Sequence, residues 1–369
     1  MRVLFSGGGT GGHLYPALAI ARALVALRPD VRPHFVGATR GIERIILPDT
    51  EFPHTLLDLH PVYRSAPWRN WRTVAGLARG WSRLGDLARE APPRLLVATG
   101  GYAASGALAF AATRGVPYVL QEQNSSPGQT VRLFSRWARE TYLGFPEAAL
   151  GLPRGARPRA VETGNPIDPP PLVRPDRAAL RTVWGLDPSV RLVVLAFGGS
   201  QGSAALNALV DGWVARGLPA GVGLIWGTGR DHYARHADRA TGRVIVRPYL
   251  APIADAYAVT DLAITRAGAM TTAELCAWGI PMYLVPLPTA AADHQTANAR
   301  ALEAAGAARW ISQREATPDH VAAVVREVVG DGARRQAWAA AAAARGRPEA
   351  SAIIARRLLT WLGHADSTR

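Results

Sequence analysis

The stretch RVLFSGGGTGGHLYPA, residues 2–17, governs how the chain is read. Arg2–Phe5 is a short apolar run, and a turn with glycine at 7, 8, 9, 11 and 12 follows it at once. From Tyr15 to Leu27 apolar residues recur at helical spacing. A buried strand that passes through glycines into a helix is the opening unit of a doubly wound parallel sheet. Glycine lets the backbone turn sharply and lets a ligand come close. The helix start offers free N–H groups and the positive end of a dipole, which suits phosphate. No Gly-Lys-Ser/Thr closes the turn, so it is not a Walker loop, nor is it a clean dinucleotide fingerprint. Taken alone it could be a plain strand–helix connection.

The same chemistry recurs at RLVVLAFGGSQGSAALNALV, residues 191–210. Further turns at Thr99–Tyr102 and Arg266–Glu274 also follow apolar runs. In the first half Arg2–Phe5, His34–Val36, Leu95–Ala98 and Tyr118–Leu120 read as buried parallel strands. In the second, Leu192–Ala196, Gly223–Trp226, Val244–Val246, Leu262–Ile264 and Met282–Val285 repeat the pattern. Helical stretches such as Tyr15–Leu27, Ala204–Val214 and Thr271–Ala277 alternate with them. Near mid-chain, Gly164–Pro171 is too proline-rich for helix or central strand and reads as a stiff linker. The expected fold class is α/β: two doubly wound Rossmann-like domains facing each other across a cleft. The expected domains are 1–164 and 165–346, with a C-terminal helix near 347–369 returning to the first. Ligands in such sheets bind at the carboxyl ends of the strands.

Composition sets outer limits. The chain has 369 residues and a formal net charge of +14, and every basic residue besides histidine is arginine. An anionic partner is one explanation of that balance and genomic base composition is another. No nucleic-acid module is recognisable and the arginines are spread along the chain, so no nucleic-acid partner is expected. The lone Cys276 excludes an internal disulfide and reads as a small core residue. No leader segment is evident. Leu95–Thr113 and Leu275–Ala292 are uncharged but broken by glycine and proline, which argues against spans.

The motifs Gly7–His13 with Pro16-Ala17, Gly100-Gly101-Tyr102, Glu122-Gln123-Asn124, Gly164-Asn165-Pro166, Gly198–Gly202, Arg266–Glu274 and Asp293-His294-Gln295 with Asn298 occur in one order. In that order they resemble the MurG family of N-acetylglucosaminyltransferases, which complete the lipid-linked peptidoglycan precursor. The resemblance runs to about Ile311. It implies a GT-B fold with UDP-N-acetylglucosamine held mainly by the second domain. It implies an undecaprenyl-pyrophosphoryl-muramoyl-pentapeptide acceptor held mainly by the first, and inversion at the transferred sugar. Carried over, Ser200, Gln201 and Gly202 meet the donor diphosphate and sugar, and Glu274 the ribose. Ala269 and Met270 lie near the diphosphate or ribose, and Gln295 and Asn298 hold the sugar hydroxyls. Thr10, His13, Tyr102, Glu122, Gln123 and Asn124 line the acceptor side, with Thr10, Gly11, Gly12 and Asn124 also expected within reach of the donor. Three positions depart from the family pattern: Asp168 where an arginine is common, Gln121 where histidine often stands, and Trp226–Gly229 without a His-Gln pair.

Chemistry narrows the roles further. The acceptor hydroxyl needs a base, and an imidazole can titrate near neutral pH, so His13 is the first candidate. It could equally hold a helix start or bind the acceptor pyrophosphate. Glu122 is the rival base, with a hydrogen bond to its own loop as the alternative. Arg266 is the candidate for the leaving diphosphate, or else a solvated strand end. Thr271 or Thr272 could cap the following helix, and Glu274 could be only a first-turn acid. No metal cluster and no cofactor are expected. Trp68, Arg69, Arg72, Arg79 and Arg83 form a basic, aromatic stretch. If it is helical from Asn70, Val74, Leu77, Trp81 and Leu84 share one face and could lie on anionic lipid or in the core. A peripheral site on the cytoplasmic face of the plasma membrane follows from the resemblance. The rival functions are a GT-B transferase with another lipid acceptor and a UDP-N-acetylglucosamine 2-epimerase, which needs more acidic cleft residues.

Overall fold

In a computed structural model, residues 1–59, 68 and 70–364 are described. The chain divides into two units, Met1–Asp168 with Glu349–Arg369, and Pro169–Pro348. The first runs β1 (Arg2–Gly7), α1 (Gly11–Leu27), β2 (Arg32–Ala38), α2 (Glu43–Ile46), β3 (His54–Leu57), α3 (Asn70–Glu90), β4 (Leu95–Gly100), α4 (Gly101–Thr113), β5 (Tyr118–Glu122), α5 (Gln129–Phe134), β6 (Thr141–Leu143), α6 (Ala148–Gly151) and β7 (Ala160–Glu162). The second runs α7 (Arg177–Trp184), β8 (Leu192–Phe197), α8 (Ala204–Ala215), β9 (Val222–Gly227), β10 (Val244–Arg247), α9 (Ile253–Val259), β11 (Leu262–Thr265), α10 (Ala269–Trp278), β12 (Met282–Leu284), α11 (His294–Ala304), β13 (Ala308–Trp310), α12 (Pro318–Gly330) and α13 (Gly332–Arg345). A last helix, α14 (Ala350–His364), belongs to the first unit.

Both sheets are parallel throughout their described pairings, in the orders β3-β2-β1-β4-β5-β6-β7 and β10-β9-β8-β11-β12-β13. The order reverses between β1 and β4 in one sheet and between β8 and β11 in the other. Those are the switch points where such sheets place ligands.

Alternation along the strands feeds two helical layers. In β1, Leu4 joins Leu96, Leu120 and Leu143 on one face, beside Leu84 and Leu87 of α3 and Leu108 of α4. Val3 and Phe5 join Val97 and Val119 on the other, against Leu14, Ile20 and Leu24 of α1 and Ile354, Leu358 and Leu362 of α14. Glu140 ion-pairs Arg357 and fixes the register of α14. In the second unit Val194, Leu224 and Trp226 pack under Val210 and Trp213 of α8 and Val321 and Val325 of α12.

The proline-rich run is only partly a linker. Thr163–Ile167 is buried, and exposure begins at Asp168. Asn165 explains why. Its side chain donates to the Gln123 carbonyl at 3.0 Å and accepts from Gln121 Nε2 at 3.0 Å, tying the run to the end of β5.

The candidate donor and acceptor sites

At the first switch point the glycine turn sits on a buried acid. Glu43, fully buried on α2, accepts the Gly9 N–H at 3.0 Å through one oxygen and the Ala38 N–H at 3.1 Å through the other. A Cβ on Gly8 would lie 1.8 Å from Glu43 Oε1, so glycine is required there. Orphaning either N–H would cost about 1–3 kcal/mol. Glu43 was not anticipated from the sequence. Its one signal is an acid set among Gly37 and Gly41, which also pack on it.

His13 lies in the first turn of α1, and its Nδ1 is 3.1 Å from Thr10 Oγ1. The ring rests against the backbone of Gly100 and Gly101, and Thr99 Oγ1 donates to the His13 carbonyl at 2.7 Å. Tyr102 closes on Gly9 from the start of α4. Thr10, Gly11, Gly12, His13 and Tyr102 therefore converge at one switch point, with Thr10 and Gly12 exposed. No side chain caps α1.

Glu122 takes the loop reading. It is 3% exposed, accepts the Asn124 N–H at 3.0 Å and the Gly128 N–H at 2.8 Å, and also meets Asn124 Nδ2. Burial pushes its carboxyl above the usual range, against the pull of those N–H groups. The loop hydrogen bond named as the alternative for Glu122 is therefore present, and both carboxylate oxygens are engaged in it. Gln123 is also engaged within the fold. Its amide is buried, donates to the Thr99 carbonyl at 2.7 Å and meets Gln121 Oε1, so it braces β4 against β5. Asn124 remains half-exposed at the loop.

At the second switch point a cavity of about 450 Å³ opens. Its walls are Gly198, Gly199, Gly202 and Ser203 after β8, Arg266, Gly268 and Thr271 after β11, and Leu287, Gln295 and Gln313. Gly202 has a φ of +76°, and a Cβ on it would meet the Thr228 carbonyl at 2.2 Å. Ser203 caps α8 through Leu206 N–H. Ser200 and Gln201 stand exposed at the turn's tip.

Arg266 is no solvated strand end. It is 8% exposed and donates from Nη1 to the Val285 and Pro286 carbonyls at 2.9 and 3.2 Å. From Nη2 it donates to Ser203 Oγ at 2.7 Å and Gln313 Oε1 at 2.6 Å. Its Nε has no partner among the described residues. Desolvation alone lowers its pKa from the ordinary guanidinium value. Gln313 escaped the sequence reading because it lies just beyond Ile311, where the family resemblance ends.

Helix α10 begins at Ala269 with Gly268 at its cap and no capping side chain, while Thr272 donates back to the Gly268 carbonyl at 3.0 Å. Threonine capping is thus replaced by an N-terminus bare of side-chain caps, with Ala269 buried and Met270 partly so. Asn298 is fully buried and donates to the Ala267 carbonyl at 3.1 Å, a hydrogen bond that braces the turn. Gln295 does line the cavity, with Oε1 accepting the Leu287 N–H at 2.9 Å. Glu274 is half-buried on α10, outside the cavity wall, and accepts from the Tyr257 hydroxyl at 2.7 Å.

Among the described residues no group of three His, Cys, Asp or Glu could hold a metal, and no helix is long and apolar enough to cross a membrane. On and beside α3, Trp68 and Trp71 are 74% and 64% exposed, whereas Leu84 and Leu87 belong to the core. Trp81 packs edge-on to Phe110. Arg79 pairs with Asp58, and Arg83 is exposed. Arg69, and the side chains of Arg72, Val74 and Leu77, lie outside the described residues.

Residues 3–143 match the glycosyltransferase family 28 N-terminal domain, and residues 193–354 its C-terminal domain. Fold and site together define a GT-B-type glycosyltransferase. A relative from Moorella thermoacetica, 38% identical over 97% of this chain and 98% of its own, is named a UDP-N-acetylglucosamine–N-acetylmuramyl-(pentapeptide) pyrophosphoryl-undecaprenol N-acetylglucosamine transferase. One from Salinibacter ruber, 38% identical over 97% of this chain and 96% of its own, carries the same name. The crystal structure of Acinetobacter baumannii MurG matches with a TM-score of 0.76 at 25% identity, covering 97% of this chain and 99% of that one. The chain belongs to this family of N-acetylglucosamine transferases.

Proposed function

We propose that the chain moves N-acetylglucosamine from UDP-N-acetylglucosamine to the 4-hydroxyl of a lipid-linked muramoyl pentapeptide, with inversion. The acceptor oxygen bonds to the anomeric carbon, the bond to the UDP oxygen breaks, and the hydroxyl proton passes to a base. The observation that carries this reading is Arg266. A buried cation without a carboxylate lines a glycine-walled cavity at a switch point, where the charge of a departing diphosphate can be met. In this reading Arg266, the glycine turn after β8 and the start of α10 take the diphosphate. Gln295 serves the sugar and Glu274 the ribose. The first unit supplies Thr10, His13, Tyr102 and Asn124 to the acceptor.

The test is incubation of the protein with radiolabelled UDP-N-acetylglucosamine and a short-chain lipid-linked acceptor, measuring labelled product and UDP together. Equal turnover is expected with and without EDTA, since the leaving charge in this reading is met by Arg266 and backbone N–H groups. Loss of turnover in chelator would refute the metal-free mechanism. Epimerised nucleotide sugar without coupled product would point to the 2-epimerase reading instead.

The reaction also calls for a surface that meets lipid. We place it around α3, where Trp68 and Trp71 are exposed and Arg79 and Arg83 face solvent. Each such arginine contributes about 1 kcal/mol on an anionic leaflet. Reversing Arg69, Arg72, Arg79 and Arg83 to glutamate is expected to abolish sedimentation with phosphatidylglycerol vesicles. Unchanged binding would remove this surface from the account. The peripheral, cytoplasmic-face location rests on the same proposal.

A further inference from the structure

The second unit buries one cation without an answering charge. Elsewhere in the unit acids meet several half-buried arginines: Asp211 meets Arg239, Glu327 meets Arg309, and Asp261 meets Arg177. Around Arg266 every partner is neutral: two carbonyls, one hydroxyl and the amide of Gln313. Burying an unanswered charge is costly, and an acid at any of these places would relieve it. Gln313 is where an acid would fit most simply. Its Oε1 already accepts from Nη2 at 2.6 Å, and its side chain lines the cavity.

We propose that Gln313 is a positioning residue for donor binding, a neutral acceptor that orients the Arg266 guanidinium while leaving its positive charge for the donor diphosphate. A glutamate would make the same hydrogen bond, and a stronger one, but would spend the charge inside the protein. Alanine would remove the bond and keep the charge. A purely structural role predicts that glutamate is mild and alanine severe. The proposed role predicts the reverse order.

The inference rests on reading this cavity as the donor site, and the experiment separates the two. UDP and uridine are titrated calorimetrically into the full chain and its variants. For Gln313→Glu, UDP affinity is expected to fall about tenfold or more, the scale of a lost charged hydrogen bond. Uridine affinity should stay within about twofold, and the melting temperature should hold or rise. For Gln313→Ala the expected loss for UDP is only about threefold. If Gln313→Glu does not fold, Ser203→Asp brings a carboxylate to the same Nη2 atom while still able to cap α8, and the same selective loss for UDP is expected. UDP affinity that survives the introduced carboxylate, or an alanine variant worse than the glutamate one, overturns the role of Gln313. Wild-type protein that binds UDP no better than uridine overturns the donor reading itself.

Discussion

Arg266→Met lowers kcat/KM by about 10²–10³-fold, the range for removing one preorganised donor to a developing anion. The loss falls on kcat as well as on KM. Charge builds on the leaving diphosphate in the transition state, and a group that meets it there is worth more than in the ground state. Methionine nearly fills the volume but carries no charge. It also leaves the Val285 and Pro286 carbonyls without the Arg266 donor, while Ser203 Oγ keeps the Leu206 N–H. Ser203 and Gln313 line the open cavity, so water can reach their polar atoms, whereas Val285 and Pro286 are buried off that wall and a lowered melting temperature is expected. Arg266→Lys is expected to recover little. An ammonium lacks the planar fork that now spans four acceptors. The check is steady-state kinetics beside a melting curve and uridine binding. A variant with unaltered melting, unaltered uridine affinity and near-normal kcat/KM would take the diphosphate away from Arg266.

The architecture was legible in the sequence wherever strands are buried on both faces. Arg2–Phe5, Leu95–Ala98 and Leu192–Ala196 read as near-continuous apolar runs because each lies inside its sheet, where both pleat faces must be apolar. The strands that escaped are β3, β6, β7 and β13. Three of them are outermost, and β7 is hardly buried, so little apolar signal is demanded of it. β6 and β13 span only three residues each, too few to show a period.

The site was legible in its glycines and less so in its polar side chains. Glycine at 8 and 202 answers steric demands that act over a few residues and leave a local trace. A polar residue after a strand has two destinations, a ligand or the backbone of its own turn, and the same residue types serve both. Glu122, Gln123 and Asn298 bond to backbone in this structure, and the sequence does not distinguish the two. Glu43 and Gln313 act on loops reached only through tertiary folding: Glu43 on Gly9, Gln313 on Arg266. Nothing near either residue in the chain announces its partner.

His13→Ala is expected to lower kcat by about 10²–10⁴-fold while leaving the acceptor KM within threefold, the signature of a lost general base. With Glu122 sealed in its loop, His13 is the stronger of the two candidates. The geometry also states a condition. If Nδ1 donates to Thr10 Oγ1, Nε2 carries the lone pair and can take the acceptor proton. If the hydroxyl donates to Nδ1, Nε2 bears hydrogen and cannot. As base, His13 requires the first tautomer, and Thr10→Val should then weaken kcat by removing the group that selects it. The sign of the pH dependence follows. A base must be neutral to act, so the rate falls as the imidazole protonates, and this acid limb of the kcat profile should vanish in His13→Ala. His13→Gln can keep a hydrogen bond to Thr10 but has no basic nitrogen, so it should be as slow as alanine. Recovery of near-normal kcat by glutamine, or an alanine variant that changes KM alone, would recast His13 as a binder of the acceptor pyrophosphate.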